Sequence, residues 1–208
     1  MKKKFCLLIA FCFISVFGFS VFAQVNVGLN QGDWVEYDVT YTGSPPESYP
    51  EKLRIGVQTI EGTSITVEIK RGLLNGTQDS KTVTFDLESG ALDLIIIPAN
   101  LGAGDEIYHE DMGNFTLEGV SNSNFIGVAR DGVYANVVQT EFSWDRSTGI
   151  LVEAYSTTDT FTETLQAVST NIVLTQTSDI DPMLLYATIV AAIIIVVVVV
   201  LFVFKKKK

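Results

Sequence analysis

Residues 184–204 constrain this chain more than any other stretch: LLYATIVAAIIIVVVVVLFVF runs for twenty-one residues without charge, glycine or proline. As a helix it would be roughly 31 Å long, the thickness of a bilayer's hydrocarbon core. A lone segment crosses lipid only as a helix, because only then are its backbone groups satisfied internally. In water the β-branched run 193–200 would favour a strand; lipid removes that choice. Asp181 is placed to cap the helix and Pro182 suits its first turn, so the span is expected over 183–204. Lys205 to Lys208 follow directly and mark the cytoplasmic side. The chain is therefore expected in the plasma membrane, single-pass, with its N-terminal domain extracellular.

The other end agrees. Lys2, Lys3 and Lys4 precede an apolar stretch over 5–22, and Val21-Phe22-Ala23 offers small or modest side chains where a signal peptidase reads. Cleavage is expected after Ala23, making 1–23 a signal peptide; an uncleaved signal anchor is the alternative. Neither Cys6 nor Cys12 lies in a lipobox, and they are the only cysteines. The mature chain then has no disulfide and must be held by its core. The roughly 155 residues between leader and membrane suffice for one domain that buries most of its apolar surface. Its boundaries are expected at 24–175, with a short stalk over 176–182.

The formal charge of −10 conceals a sharper imbalance. Outside the leader and the tail only seven basic residues face all twenty-four acidic ones, a balance of −17. That sign excludes nucleic acid and an anionic lipid surface as partners of the outer domain.

Between the two apolar ends the dominant period is two. Val35, Tyr37, Val39 and Tyr41 alternate with Glu36, Asp38 and Thr40, and the pattern returns at 53–57, 65–69 and 83–87. The segment GSPPESYP over 43–50 is expected to be irregular because of its prolines. The continuous run 92–97 reads as a central strand buried on both faces. Further strands are expected over 106–108, 114–120, 125–130, 133–142, 150–156 and 161–174. Tight turns are expected at Glu61-Gly62-Thr63, Asp131-Gly132 and Asp145 to Gly149, with left-handed backbone at Gly90 and Gly149. One short helical turn over 98–101 is the most helix the outer domain allows. The fold class is thus all-β: an antiparallel meander of about ten strands, curled into a barrel, half-barrel or sandwich, plus one C-terminal transmembrane helix.

Three signals recur in order. LNQGDWVEY from Leu29 is echoed by LGAGDEIYH from Leu101, Gly62 by Gly132, and FDLESGAL from Phe85 by WDRSTGIL from Trp144. The offsets of 72, 70 and 59 residues suggest an internal duplication of 29–98 as 101–173. The GDW start at Gly32, the long meander and the hairpin Trp144-Asp145-Arg146-Ser147-Thr148-Gly149 together resemble the uncharacterised β-rich ectodomains of archaeal-type single-span surface proteins. In architecture the meander is also similar to the curled sheets of lipoprotein carriers, a likeness that implies an acyl chain or other apolar ligand in a concave face.

Chemistry-bearing residues are few. His109 is the only histidine, set among Asp105, Glu106, Glu110 and Asp111, and is expected to be exposed. One histidine without mature cysteine rules out a structural zinc site of Cys and His ligands, and no metal or cofactor is expected. There is no G-x-S-x-G elbow to seat a nucleophile. Two sequons, Asn75-Gly76-Thr77 and Asn114-Phe115-Thr116, mark Asn75 and Asn114 as candidate glycosylation sites. The expected function is a non-catalytic binding or structural module of the cell envelope, meeting an envelope protein, glycan or lipid. The alternatives are an envelope hydrolase with an acidic cleft and a carrier of an apolar ligand.

Overall fold

The alternation becomes strands almost throughout. A computed structural model describes residues 25–91 and 93–175; the signal peptide, stalk, membrane span and basic tail expected above lie outside the described residues. Among the described residues no helix is long and apolar enough to cross a membrane. Eleven strands follow in order: β1 (Trp34–Gly43), β2 (Pro50–Glu61), β3 (Ser64–Leu73), β4 (Gln78–Asp86), β5 (Glu106–His109), β6 (Gly113–Thr116), β7 (Gly119–Phe125), β8 (Val128–Val137), β9 (Thr140–Asp145), β10 (Leu151–Thr157) and β11 (Phe161–Thr170).

Nine of them form one antiparallel sheet in the order β4-β3-β2-β1-β11-β10-β9-β8-β7, and β5 pairs with β6 apart from it. Two meanders, β1–β4 and β7–β11, are joined in the middle where the first strand pairs with the last. The edges β4 and β7 do not pair, so the barrel among the expected architectures is not formed.

To pass from one edge to the other, the chain between β4 and β7 runs across the buried face. Leu94, Ile96, Ile97, Ile107 and Leu117 share one core with Ile65 and Val67 of β3 and with Val133 and Ala135 of β8. The ribbon β5–β6 lays Phe115 against Trp144, ring centroids 6.4 Å apart, and Phe142 stacks on the same indole at 5.4 Å. Trp144 is fully buried, and its Nε1–H donates to the Leu94 carbonyl at 2.6 Å.

Several expectations are corrected. Of the expected central strand 92–97, the described part 93–97 is not a strand: Leu94 has φ 50, and Ile96 makes a single isolated bridge to Ile150. A segment covering a sheet face is buried as fully as a central strand, so continuous hydrophobicity does not separate the two. Asp131-Gly132 is not a turn but lies inside β8, with Gly132 opposite both Ser121 and Asp145. The turns fall on either side, at Ile126-Gly127 (φ 50 and 82) and Val138-Gln139 (φ 52 and 74), cutting the expected strands 125–130 and 133–142. Two consecutive positive-φ residues form the hairpin turn that matches strand twist, and here three of the four, Ile126, Val138 and Gln139, carry side chains. The expected strand 114–120 is likewise split between β6 and β7, with buried Leu117 between them. β2 begins at Pro50, inside the proline-rich segment, and residues 98–101 form a turn rather than helix.

Of the three echoed signals, two share local geometry. Asp33 and Asp105 each accept a bond from the backbone N–H three residues earlier, at 2.8 and 2.7 Å, after Gly32 and Gly104 in left-handed backbone. Gly90 and Gly149 are both left-handed, at φ 82 and 73. Gly62 turns a hairpin and Gly132 does not. Four strands separate the two signals in the first half and five in the second.

Candidate functional site

The sites marked by sequence lie apart. Asn75 is exposed in the β3–β4 turn; its Oδ1 accepts the N–H of Thr77 at 2.9 Å and the Thr77 hydroxyl at 2.7 Å. Its own N–H donates to the Glu47 carbonyl at 3.1 Å, tying the turn to the β1–β2 loop. Asn114 is exposed within the β5–β6 ribbon, opposite Tyr108. His109 is buried rather than exposed, its Nδ1 accepting the Asp111 N–H at 3.2 Å. Burial follows from its position on the ribbon, where it alternates with exposed Tyr108 and shares the inward face with Ile107. Among the described residues no group of three or more His, Cys, Asp or Glu side chains is placed to hold a metal.

Two features stand out, one at a hairpin the sequence marks as a turn and one that no motif marks. The first is the tip of the β9–β10 hairpin. Asp145, fully buried, receives Arg130 Nε at 2.5 Å on one oxygen. Its other oxygen accepts Thr148 N–H at 2.9 Å, Thr148 Oγ1 at 2.7 Å and Ser147 Oγ at 2.9 Å. Burial opposes the charge, but these bonds and the Arg130 guanidinium hold the carboxyl below the usual carboxylate range. Arg130 also donates to Ser147 Oγ and, through Nη1, to the Thr175 carbonyl at 2.5 Å. Both ends of the described segment meet here. A Cβ on Gly28 would lie 2.4 Å from the Ser147 carbonyl, and Thr175 is the last described residue before the stalk. The crossing segment closes the third side, with Ile97 N–H bonded to the Gly149 carbonyl at 2.9 Å and Asn100 N–H to that of Arg146 at 2.6 Å.

The second feature lies on the opposite face of β1–β4, beside the β3–β4 turn: a groove of about 680 Å³. Five of the outer domain's seven basic residues belong to β2–β4. Register arranges the polar face in rows. Asp38 stands opposite Lys52, which stands opposite Gly72 and then Gln78; Glu36 stands opposite Arg54, then Lys70, then Ser80. Ion pairs join Glu36 to Arg54 at 2.5 Å, Asp38 to Lys52 at 3.4 Å and Glu68 to Lys70 at 3.1 Å. The Arg54 guanidinium lies 4.0 Å above the Trp34 ring. Each carboxylate in these rows is engaged by a cation.

The inner face is occupied differently. Ile96, Ile97, Leu117 and Trp144 fill it with 2% exposure or less, and Tyr37 spans it to bond the Leu151 carbonyl at 2.9 Å. Burial pushes the Tyr37 hydroxyl far above its ordinary range, so it stays a neutral donor. Towards the β10–β11 turn, Tyr41, Tyr49 and Phe161 meet edge to face, next to Glu163.

A scan against protein-family models gives no match to this chain, and a search of curated proteins gives none either. The site's meaning therefore rests on its own geometry.

Proposed function

We propose that this chain is a single-pass surface protein whose β domain is a non-catalytic binding module, standing on the β9–β10 tip and presenting the β1–β4 groove. The observation that carries this reading is the convergence of both ends of the described segment on the β9–β10 tip. Thr175 is held by a buried arginine only eight residues before residue 183, where the expected span begins. A stalk so short cannot let the domain turn over, so the β3–β4 and β8–β9 turns face away from the membrane. The sheet is a half-barrel, a curl favoured by the single core that joins β3 and β4 to β8 and β9 around the crossing segment. This architecture is similar to that of the lipoprotein carriers, but here the concave face is packed with the protein's own side chains. That packing favours a binder over an apolar-ligand carrier. Asn75 and Asn114, both exposed, are the candidate glycan acceptors, and Asn75 lies on the outward turn.

Function then resides outside the membrane. Exchanging residues 184–204 for an unrelated apolar span with a basic tail is expected to preserve rescue of a deletion phenotype at matched surface level, and Gly72→Phe in the groove to abolish it. The opposite pattern would place function in the helix and overturn the reading.

A further inference from the structure

The sheet ends in two unlike edges, β4 and β7. An open edge offers unpaired backbone groups to another strand, and charge along it is a common guard. β4 carries Asp79, Lys81 and Asp86, and Asp86 is bridged to Ala91. β7, GVSNSNF, has no proline, and of the nine strands in the sheet it alone has no charged residue. The two-residue turn Ile126-Gly127 is closed by Phe125 and Val128, so Phe125, Ser123 and Ser121 direct their backbone groups to β8. Val120, Asn122 and Asn124 direct theirs outward. All three are exposed, and among the described residues no strand or loop bonds these groups.

Charge selects the occupant. With seven cations against twenty-four acids, the outer domain would draw a basic partner to almost any of its faces. Only a partner that is itself acidic needs a neutral strip, where the two approach without like charges meeting. The acidic partner with a matching open, uncharged strand is a second copy of this chain. Resting on the upright stance read above, we infer that β7 pairs antiparallel with β7 of a second copy standing on a facing membrane. Centred on Asn122, the pairing sets Val120 of each copy opposite Asn124 of the other and joins every outward backbone group. Such a contact uses the same patch on both sides, so it closes at two copies. Orientation follows from the strand. β7 runs towards the foot of the upright domain, the β9–β10 tip, where Arg130 of β8 meets Asp145. Antiparallel strands therefore point the two feet in opposite directions. Copies in one membrane would have to pair in parallel, where each residue bonds the two that flank its opposite, and identical strands cannot do so symmetrically. The contact is thus homophilic adhesion between two surfaces.

The test uses the full chain in vesicles of neutral phosphatidylcholine, with vesicle clustering followed by light scattering. Wild-type vesicles are expected to cluster. Asn122→Pro is expected to abolish clustering with an unchanged melting curve, because proline there removes an outward N–H and no ladder bond. Val120→Lys is expected to slow clustering about tenfold, and Val120→Lys with Asn124→Asp to restore it, since each new cation then faces the other copy's carboxylate. Lys81→Gln, on the β4 edge, is expected to change nothing. With Cys6 and Cys12 replaced by serine, a short bismaleimide is expected to join Asn122→Cys chains only in clustered vesicles. Absence of both clustering and crosslink, or clustering indifferent to Asn122→Pro, overturns the inference and leaves the binding-module reading standing. Failure of the double variant to restore clustering overturns the antiparallel register. A crosslink formed within vesicles that do not cluster overturns the facing-membrane pairing and the upright stance together.

Discussion

Strands β1–β4 and β7–β10 are both four-strand antiparallel meanders, yet they are stabilised in different ways. In the first, one face is a regular apolar row and the other a lattice of exposed ion pairs, and the turns carry glycine at Gly62 and Gly76. In the second, a guanidinium and a carboxylate are buried together, and one of its three turns, Val138-Gln139, forms without glycine. Exposed pairs contribute little each; a buried pair cannot be half removed without leaving a naked charge. The first half therefore has a replaceable surface, and the second a buried pair that cannot be altered singly.

The contrast is broken most forcefully at glycine. Gly149 is left-handed, and a Cβ there would lie 2.0 Å from the Ile97 carbonyl oxygen. Gly149→Val is expected to cost about 3 kcal/mol or more, roughly a 10 °C fall in melting temperature. Gly76 is also left-handed but nothing lies within 4 Å of its Cβ position. Gly76→Ala should cost only about 1 kcal/mol by strain alone. Equal losses would mean the hairpin tip is no more constrained than the β3–β4 turn.

Next in size is the pair of arginines. Arg130→Leu leaves Asp145 charged, buried and short of two bonds, and should cost about 3–5 kcal/mol. Arg54→Gln, with its side chain 41% exposed, should change stability by less than about 1 kcal/mol. Thermal denaturation of both variants decides the matter.

Acid sharpens the same comparison. Because the Asp145 pKa is depressed in the folded state, its stabilisation is present above the ordinary carboxylate value of about 4 and is lost as pH falls through the folded value. The gap in melting temperature between wild type and Arg130→Leu should therefore narrow below about pH 4. A gap that stays constant would show that Arg130 acts by packing alone.

The smallest effect lies at Glu163, whose carboxyl is raised by burial. A raised acid costs stability once pH exceeds its folded value and nothing below its unfolded value. Glu163→Gln should raise the melting temperature slightly at neutral pH and leave it unchanged near pH 4.

The two halves also differ in how far they could be read from the chain. Val35, Tyr37 and Val39 alternate against charged neighbours, so the parity of β1 was plain, as were the turns at Gly62 and Gly149. What alternation cannot supply is the partner strand. Glu36 and Arg54 meet only because β1 and β2 pair in one register. The run 92–97 misled because burial by covering and burial by pairing leave the same composition. Asp131-Gly132 misled because turn chemistry is a preference, and Ile126-Gly127 and Val138-Gln139 set the strand ends instead. Arg130 left one faint signal: a lone cation in an otherwise uncharged strand candidate, fifteen residues before the carboxylate it meets.

The two ends of β8 offer the most direct measurement. Ala129 lies beside Arg130 at the foot, and Val138, 77% exposed, follows the opposite end. Nitroxides on Ala129→Cys and Val138→Cys, in the full chain in nanodiscs, report their approach to gadolinium-chelating lipid headgroups by relaxation. Strong enhancement at position 129 with little at 138 is the expected result. Enhancement that is equal at both positions, or greater at 138, would contradict a domain that stands on its β9–β10 tip.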